Sequence, residues 1–398
     1  MSQFYPYGYK GYPTGLQYPW TFPMPSERER DRRWHEIRRS MRKHNFDCLI
    51  LCAPLGPPAA GYLTYISNYV PHWNNGSYVV FPLEEEPQLG VSNILGPQFL
   101  HCAVETSWIK ETVSSLNPTE DIVRKIKQLK LENARFAIPG YKAGVFPALV
   151  LDTLRQSFPL ATFESASVVM REAMDIISRT SEEELGFVRK ACEILDLSYE
   201  AVAQALKPGV KECELWAAAE YAILKNGGWY PHFMLGTSGP NPIFPRGPAS
   251  HNTIEQGDVV LFEIDVTYGG VFPQISYALS LGRPRNEVEE MFDFCSELYH
   301  FSLAELEKRR TFGDIQLDIV DRIHRAGYEP MTPQIHMYNL TNVLPKDSPP
   351  QPGDYFTVHP NVCNKDYTVG AKFGDAVRIT RDGRVERLQK TPAKLNII

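Results

Sequence analysis

Two carboxylates on an otherwise apolar strand are the first residues in this chain that could do chemistry. In residues 257–282, GDVVLFEIDVTYGGVFPQISYALSLG, the run 259–266 is apolar apart from Glu263 and Asp265. Residues two apart on a strand face the same way, so both acids share a face with Leu261. Carboxylates are costly to bury unless they are paired or bind something. The run therefore reads either as an edge strand with a solvated polar face or as a strand presenting acids to a ligand. A second chemically capable run is FTVHP, where alternation puts Thr357 and His359 on one face and Phe356 and Val358 on the other.

These residues need elements to hold them. A Tyr-Gly-Gly turn separates the first run from a second apolar run at 271–281, and Gly turns between apolar runs predict a hairpin. Before it, Thr180 followed by Glu183 reads as a capping box, and Leu185, Val188, Ala191, Leu195 and Tyr199 keep a helical period. Lys207-Pro208-Gly209 stops that helix, and a second one ends at Gly227-Gly228. Two more helices, at 287–310 and 312–326, are expected to cover the back of the sheet.

Residues 1–25 are rich in Tyr, Pro and Gly and have neither period; they read as an extended arm laid on a neighbouring surface. Ser26 is placed as the N-cap of a basic helix with a buried stripe of Trp34, Ile37 and Met41, its arginines reading as a solvated face. From residue 47, apolar runs alternate with helices to residue 163, an α/β pattern. The expected division is an arm at 1–25, an α/β unit at 26–170 and a further domain at 171–398.

Composition narrows the function. The chain has 398 residues, 43% of them hydrophobic, which allows two or three cored domains. A net charge of −6 and a pI near 6.0 argue against a general nucleic-acid binder. Seven scattered cysteines without paired spacing read as reduced thiols in a cytoplasmic protein. No apolar run approaches the ~18 residues of a membrane span, and the start has no signal-peptide core.

Residues 257–277 also line up without a gap with GDxxxxDxGxxxxGYxxDxTR, the strand pair of the pita-bread superfamily. That superfamily includes methionine aminopeptidases, Xaa-Pro aminopeptidases, prolidases and creatinase. The helix–KPG–helix unit resembles the opening of the same domain, and residues 26–170 resemble the amino-terminal domain of creatinase. The resemblance implies an α+β protein: a C-terminal pita-bread fold, a curved and mostly antiparallel sheet covered by helices, preceded by an α/β creatinase-type domain. It also implies a homodimer.

By this resemblance the five metal-ligand positions, Asp, Asp, His, Glu and Glu in the family, fall on Glu263, Gln274, His336, His359 and Gly374, with Asp375 following. Three carboxylate positions are thereby changed. Two nearby divalent ions need bridging carboxylates to offset their repulsion, so no dimetal centre is expected. The family histidine near the scissile bond falls on Arg246, which could clamp an anionic group or an oxyanion, with His232 and His251 nearby.

Three readings follow. The chain could be a creatinase-like hydrolase of a small C–N-bonded substrate, with no metal, His336 and His359 as the acid–base pair, Glu263 orienting, and Arg246, Gln274, Asp375 and His232 binding substrate. It could instead be an enzyme with a single Zn or Fe ion held by Glu263, Gln274, His336 and His359, or a lyase on the same fold. It could also be a member that has lost catalysis and serves as a binding module. The first is the expectation carried forward. Its partners would be a small-molecule substrate and a second copy of the chain, with no nucleic acid or membrane.

Overall fold

The computed structural model describes residues 23–53, 56–69, 76–92, 103–104, 106–140, 146–174, 180–229, 234–243, 247–336 and 346–398. The aromatic arm through residue 22 lies outside the described residues, as do Arg246 and His232.

The chain begins with α1 (Glu27–Lys43), β1 (Cys48–Ala53), α2 (Gly56–Ser67), β2 (Ser77–Pro82), β3 (Gln88–Ser92) and β4 (Glu111–Ser115). Then come α3 (Pro118–Gln128), β5 (Arg135–Ile138), α4 (Ala148–Ser157), β6 (Thr162–Ser165) and α5 (Ser167–Met174). The six strands form one mixed sheet in the order β4-β3-β2-β1-β5-β6. Both of its faces are covered, which is why β1 and β2 read as near-continuous apolar runs rather than alternating ones. Trp34, Ile37 and Met41 of α1 pack with Leu49, Leu51, Val79 and Phe81 on one face. Ile122 and Ile126 of α3 and Leu154 of α4 pack with Ile50, Val80 and Phe136 on the other. The stretch at 61–67, apolar in sequence, belongs to α2.

Ser26 caps α1 as expected, accepting from the Glu29 N–H. The arginines of this helix are not all solvated. Arg33 is buried, its Nε 2.8 Å from Glu29 and its guanidinium stacked near Tyr65 and Trp108. Glu184 joins this cluster, 3.1 Å from Arg32, and accepts from the Tyr355 hydroxyl at 3.2 Å. The basic run therefore includes a docking contact between the two halves, since its Arg33 faces an acid 151 positions later rather than water.

The second half opens with α6 (Glu182–Ala205) and α7 (Glu212–Lys225), followed by β7 (Met234–Gly239), β8 (Val259–Asp265) and β9 (Gln274–Ser280). Next are α8 (Asn286–Leu306), α9 (Phe312–Arg325), β10 (Ile335–His336), β11 (Tyr355–Val358), β12 (Asn361–Cys363) and β13 (Gly370–Lys372). The chain closes with β14 (Asp375–Ile379), β15 (Val385–Arg387) and β16 (Asn396–Ile397). The N-cap of α6 is Ser181, one residue beyond Thr180, and it accepts from the Glu184 N–H at 3.0 Å. That shift leaves Glu183 to accept from the Ser26 hydroxyl at 2.7 Å instead of closing a box.

Two four-stranded sheets, β16-β9-β8-β7 and β10-β11-β14-β15, meet through a bridge between Ser276 and Gly374, and β12-β13 is a separate ribbon. The β8–β9 hairpin turns at Gly269 and Gly270, both with positive φ, and Tyr268 and Val271 exchange backbone hydrogen bonds across it. Paired positive-φ residues are what a tight hairpin turn demands. One face of the hairpin, with Val260, Phe262, Ile264, Ile275 and Tyr277, packs on α6 and α7. Helices α8 and α9 cover the other sheet through Phe292, Tyr299, Ile315, Phe356 and Val358. The curved α+β architecture thus leaves one polar strip between the two helical layers.

Candidate active site

That strip follows from register. Glu263 lies opposite Ser276 and Asp265 opposite Gln274 across the β8–β9 ladder, and cross-strand partners share a face. All four side chains are buried, on the side away from α6 and α7. The edge-strand alternative is thereby excluded, because β8 is paired on both sides, with β7 and β9.

The second sheet brings the histidines. His336 ends β10 opposite Thr357 of β11, and His359 follows β11 directly. Their rings meet edge-on with centroids 4.5 Å apart. Gln274 joins the two sheets: its Nε2 lies 3.3 Å from Glu263 Oε1 and 3.2 Å from His336 Nε2. An amide nitrogen only donates, so the His336 Nε2 facing it accepts and that ring carries its proton on Nδ1.

Sequence reasoning missed the residue at the centre. Lys372 of β13 is buried, and its Nζ sits 2.7 Å from Glu263 Oε1. Burial lowers its proton affinity, and Glu263 counters that shift. A carboxylate facing an imidazole would raise its proton affinity. The structure reverses the sign: burial, then the Lys372 charge, then His336 push its pKa well below the ordinary value. The carboxylate that would have raised it is paired with the ammonium instead. His359 is therefore neutral at neutral pH, and neither ring nitrogen has a hydrogen-bond partner among the described residues. Glu263 Oε2, Ser276 Oγ and Thr357 Oγ1 are likewise unpartnered there.

Two further residues, Gln334 and Asn361, hold the main chain of His359 in place. The Gln334 carbonyl accepts from the His359 N–H and its side chain accepts from the Asn361 N–H, both at 2.9 Å. Asn361 in turn donates to the His359 carbonyl and accepts from the N–H groups of Met331 and Thr332. Gly374 lets the His359 backbone approach closely, since a Cβ there would lie 2.2 Å from the His359 Cβ.

Asp375 does not join this strip, contrary to its expected substrate-binding role. It lies opposite Val358, which faces α8, and its carboxylate accepts from Tyr299 and from Arg387. Both oxygens are engaged by Tyr299 of α8 and Arg387 of β15, on the side away from the strip. His251 is exposed and lies near Cys213, at 3.9 Å. The roles expected of Arg246 and His232 fall outside the described residues.

The residues do not fit a dimetal centre. The ammonium of Lys372 occupies the neighbourhood of Glu263, and a second and third positive centre beside it would repel strongly in a buried setting. Position 374 supplies no side chain, and the space beside it is filled by His359. Among the described residues, no three His, Cys, Asp or Glu side chains converge to hold an ion.

Comparison with known proteins bears on this same half of the molecule. The pattern of metallopeptidase family M24 matches residues 186–381. A Xaa-Pro dipeptidase from Pyrococcus horikoshii is 25% identical over 310 residues, covering 73% of this chain and 85% of that protein. In three dimensions the X-Pro aminopeptidase from Thermotoga maritima superposes with a TM-score of 0.76 at 18% identity, covering 92% of this chain and 99% of that one. The Xaa-Pro dipeptidase from Bacillus anthracis gives 0.74, also at 18%, covering 93% and 100%. Residues 186–381 thus match an M24 metallopeptidase domain, and the chain shares the two-part fold of these structures. The strip between the helical layers lies within the matched residues, which carry the lysine–glutamate pair.

Among the described residues no helix is long and apolar enough to cross a membrane. The six described cysteines are free thiols.

Proposed function

We propose that this chain is a hydrolase of small C–N-bonded compounds that works by histidine acid–base chemistry without a dimetal centre. The observation that carries the reading is the buried Lys372–Glu263 pair beside the edge-on His336 and His359 rings. The matched M24 pattern supports hydrolysis, and the relatives' names, dipeptidase and aminopeptidase, support a small substrate.

The roles follow from protonation. His359, held neutral, offers a lone pair and can take a proton from an attacking water. His336, half-exposed and carrying a proton on Nδ1, can relay: it passes that proton to the departing nitrogen as it receives the one His359 has taken from water, so neither ring is left as an imidazolate. Water adds to the carbon, the C–N bond breaks, and the nitrogen leaves carrying that proton. The Lys372 ammonium, kept in place by Glu263, offsets negative charge developing on the oxygen bound to that carbon. Gln334 and Asn361 act as positioning residues.

The test is release of ammonia or amine from a panel of small amides, ureides and guanidino compounds, with chelator present. Turnover that falls ~10²-fold in His336→Ala and His359→Ala supports the proposal, the scale expected for losing a general acid or base. A second reading has one observation in its favour, the enclosure of both His359 nitrogens away from solvent. On that reading the site binds a ligand without turning it over, and His359→Ala weakens affinity only.

A further inference from the structure

Cys213 and His251 form a thiol–imidazole pair on the helical layer that covers the hairpin face opposite the strip. We infer that Cys213 is a nucleophilic thiol with His251 as its base, a site where low-molecular-weight disulfides exchange to leave a mixed disulfide on the protein.

Three observations support this. First, thiol and base are within reach of each other. Cys213 Sγ lies 3.9 Å from His251 Nδ1, and Cys213 is half-exposed while His251 is exposed. A nucleophile with an adjacent base is the arrangement that activates cysteine. Second, the contact is built into the fold, because the residues on either side of His251 are tied to the first turn of α7. The Cys213 N–H donates to the Ser250 carbonyl at 3.0 Å and the Glu212 N–H to the Asn252 carbonyl at 2.9 Å. The buried Glu212 accepts from the Ser250 N–H at 2.7 Å and from the Ser238 hydroxyl at 2.5 Å, which engages both its oxygens. Glu214 accepts from the Lys211 N–H at 2.8 Å. Third, Cys213 is set apart from the other described cysteines. Burial pushes the thiols of Cys48, Cys52, Cys192, Cys295 and Cys363 up, the condition of inert structural cysteines. Cys213 instead takes the second position of a 14-residue helix, where the positive end of the backbone dipole faces negative charge developing on sulfur.

The exchange needs no oxidant besides the disulfide. With its ring proton on Nε2, His251 accepts the thiol proton on Nδ1 as Cys213 Sγ attacks one sulfur of the incoming disulfide. The new S–S bond forms and the old one breaks. The departing thiolate takes the proton from Nδ1, so the Cys213 thiol is oxidised as that sulfur is reduced.

The experiment uses the full chain at pH 7 with oxidised glutathione as the disulfide. Modification of the Cys213 peptide is followed over time by mass spectrometry, in folded wild type, in wild type unfolded by urea, and in His251→Gln, with circular dichroism to confirm folding. Cys213 should react ~10-fold or more faster in the folded wild type than in the unfolded chain, an advantage that a positioned base supplies. His251→Gln should lose that advantage. A thiol that is only exposed reacts no faster folded than unfolded, and that result overturns the inference. So does a folded His251→Gln whose Cys213 reacts at the wild-type rate. The comparison with the unfolded chain stands even if His251→Gln does not fold. Neither readout depends on hydrolysis at the strip.

Discussion

Lys372 and Asp375 stand three positions apart, both buried and both charged, yet the clusters they enter differ in kind. Around Asp375 the hydrogen bonding is complete. One carboxylate oxygen accepts from Tyr299, the other from Arg387, and Arg387 spends a further donor on the Thr391 carbonyl at 2.6 Å. Around Lys372 it is incomplete, with unpartnered atoms on Glu263, Ser276, Thr357 and His359. Buried polar groups are nearly always paired, so a group of orphans on one strip marks a place where something is missing rather than a place that holds the fold together. The saturated cluster ties α8 to the sheet. The unsaturated one faces the gap between the sheets, and its deficit is the physical reason to place function there.

Stability measurements can break or sharpen this contrast, the largest effect first. Arg387→Met leaves Asp375 buried without its cation and should cost about 3–5 kcal/mol in urea denaturation. Glu263→Leu should cost a similar amount by stranding Lys372, whereas Glu263→Leu/Lys372→Met should return to near wild-type stability or above it. A double variant as unstable as Glu263→Leu alone would show that the pair is structural, like its neighbour.

The pH dependence should separate the clusters by sign. The folded-state pKa of His359 lies well below the unfolded value of about 6.5, so the unfolded chain binds the extra proton in between. Its contribution is present above that unfolded value and is lost as pH falls, with a limiting slope of about 1.4 kcal/mol per pH unit. Asp375 runs the other way. Burial raises it to about 6, against the pull of Arg387 and Tyr299, so its contribution falls as pH rises towards that value. His359→Gln should flatten the acid limb of a denaturation series between pH 6.5 and 5, read as the difference from wild type. An unchanged limb would mean that His359 is not held neutral.

The smallest effects concern single hydroxyls. Tyr299→Phe removes a satisfied hydrogen bond to a charged group and should destabilise by about 1.5–3 kcal/mol. Thr357→Val removes an orphan and should be neutral or stabilising by about 1 kcal/mol, because no buried hydroxyl is then left unpaired. Equal losses at the two positions would erase the distinction.

Much of the frame was legible from residue types. The hairpin could be read from Gly269 and Gly270, which alone tolerate its turn, and Ser26 from its capping chemistry. Gln274, His336 and His359 were placed by resemblance, and the strands then set them around Glu263. Lys372 was not legible: in VGAKFGD, alternation puts it on the face away from Ala371 and Phe373, and a lysine there reads as solvated. Only the meeting of two sheets buries both faces of that ribbon. The direction of the His359 shift was not legible either, since burial, its largest cause, and the Lys372 charge both depend on how distant strands assemble. Arg33 failed similarly, because its partner Glu184 belongs to the other half of the chain.

The central claim is that the strip carries chemistry run by neutral His359 next to a lysine cation. The most direct measurement is turnover of a small C–N-bonded substrate by wild type and by His359→Ala, each with and without chelator. The account predicts wild-type turnover that is indifferent to chelator and ~10²-fold lower in the variant, with folding intact. Turnover abolished by chelator, or unchanged in His359→Ala, would contradict it.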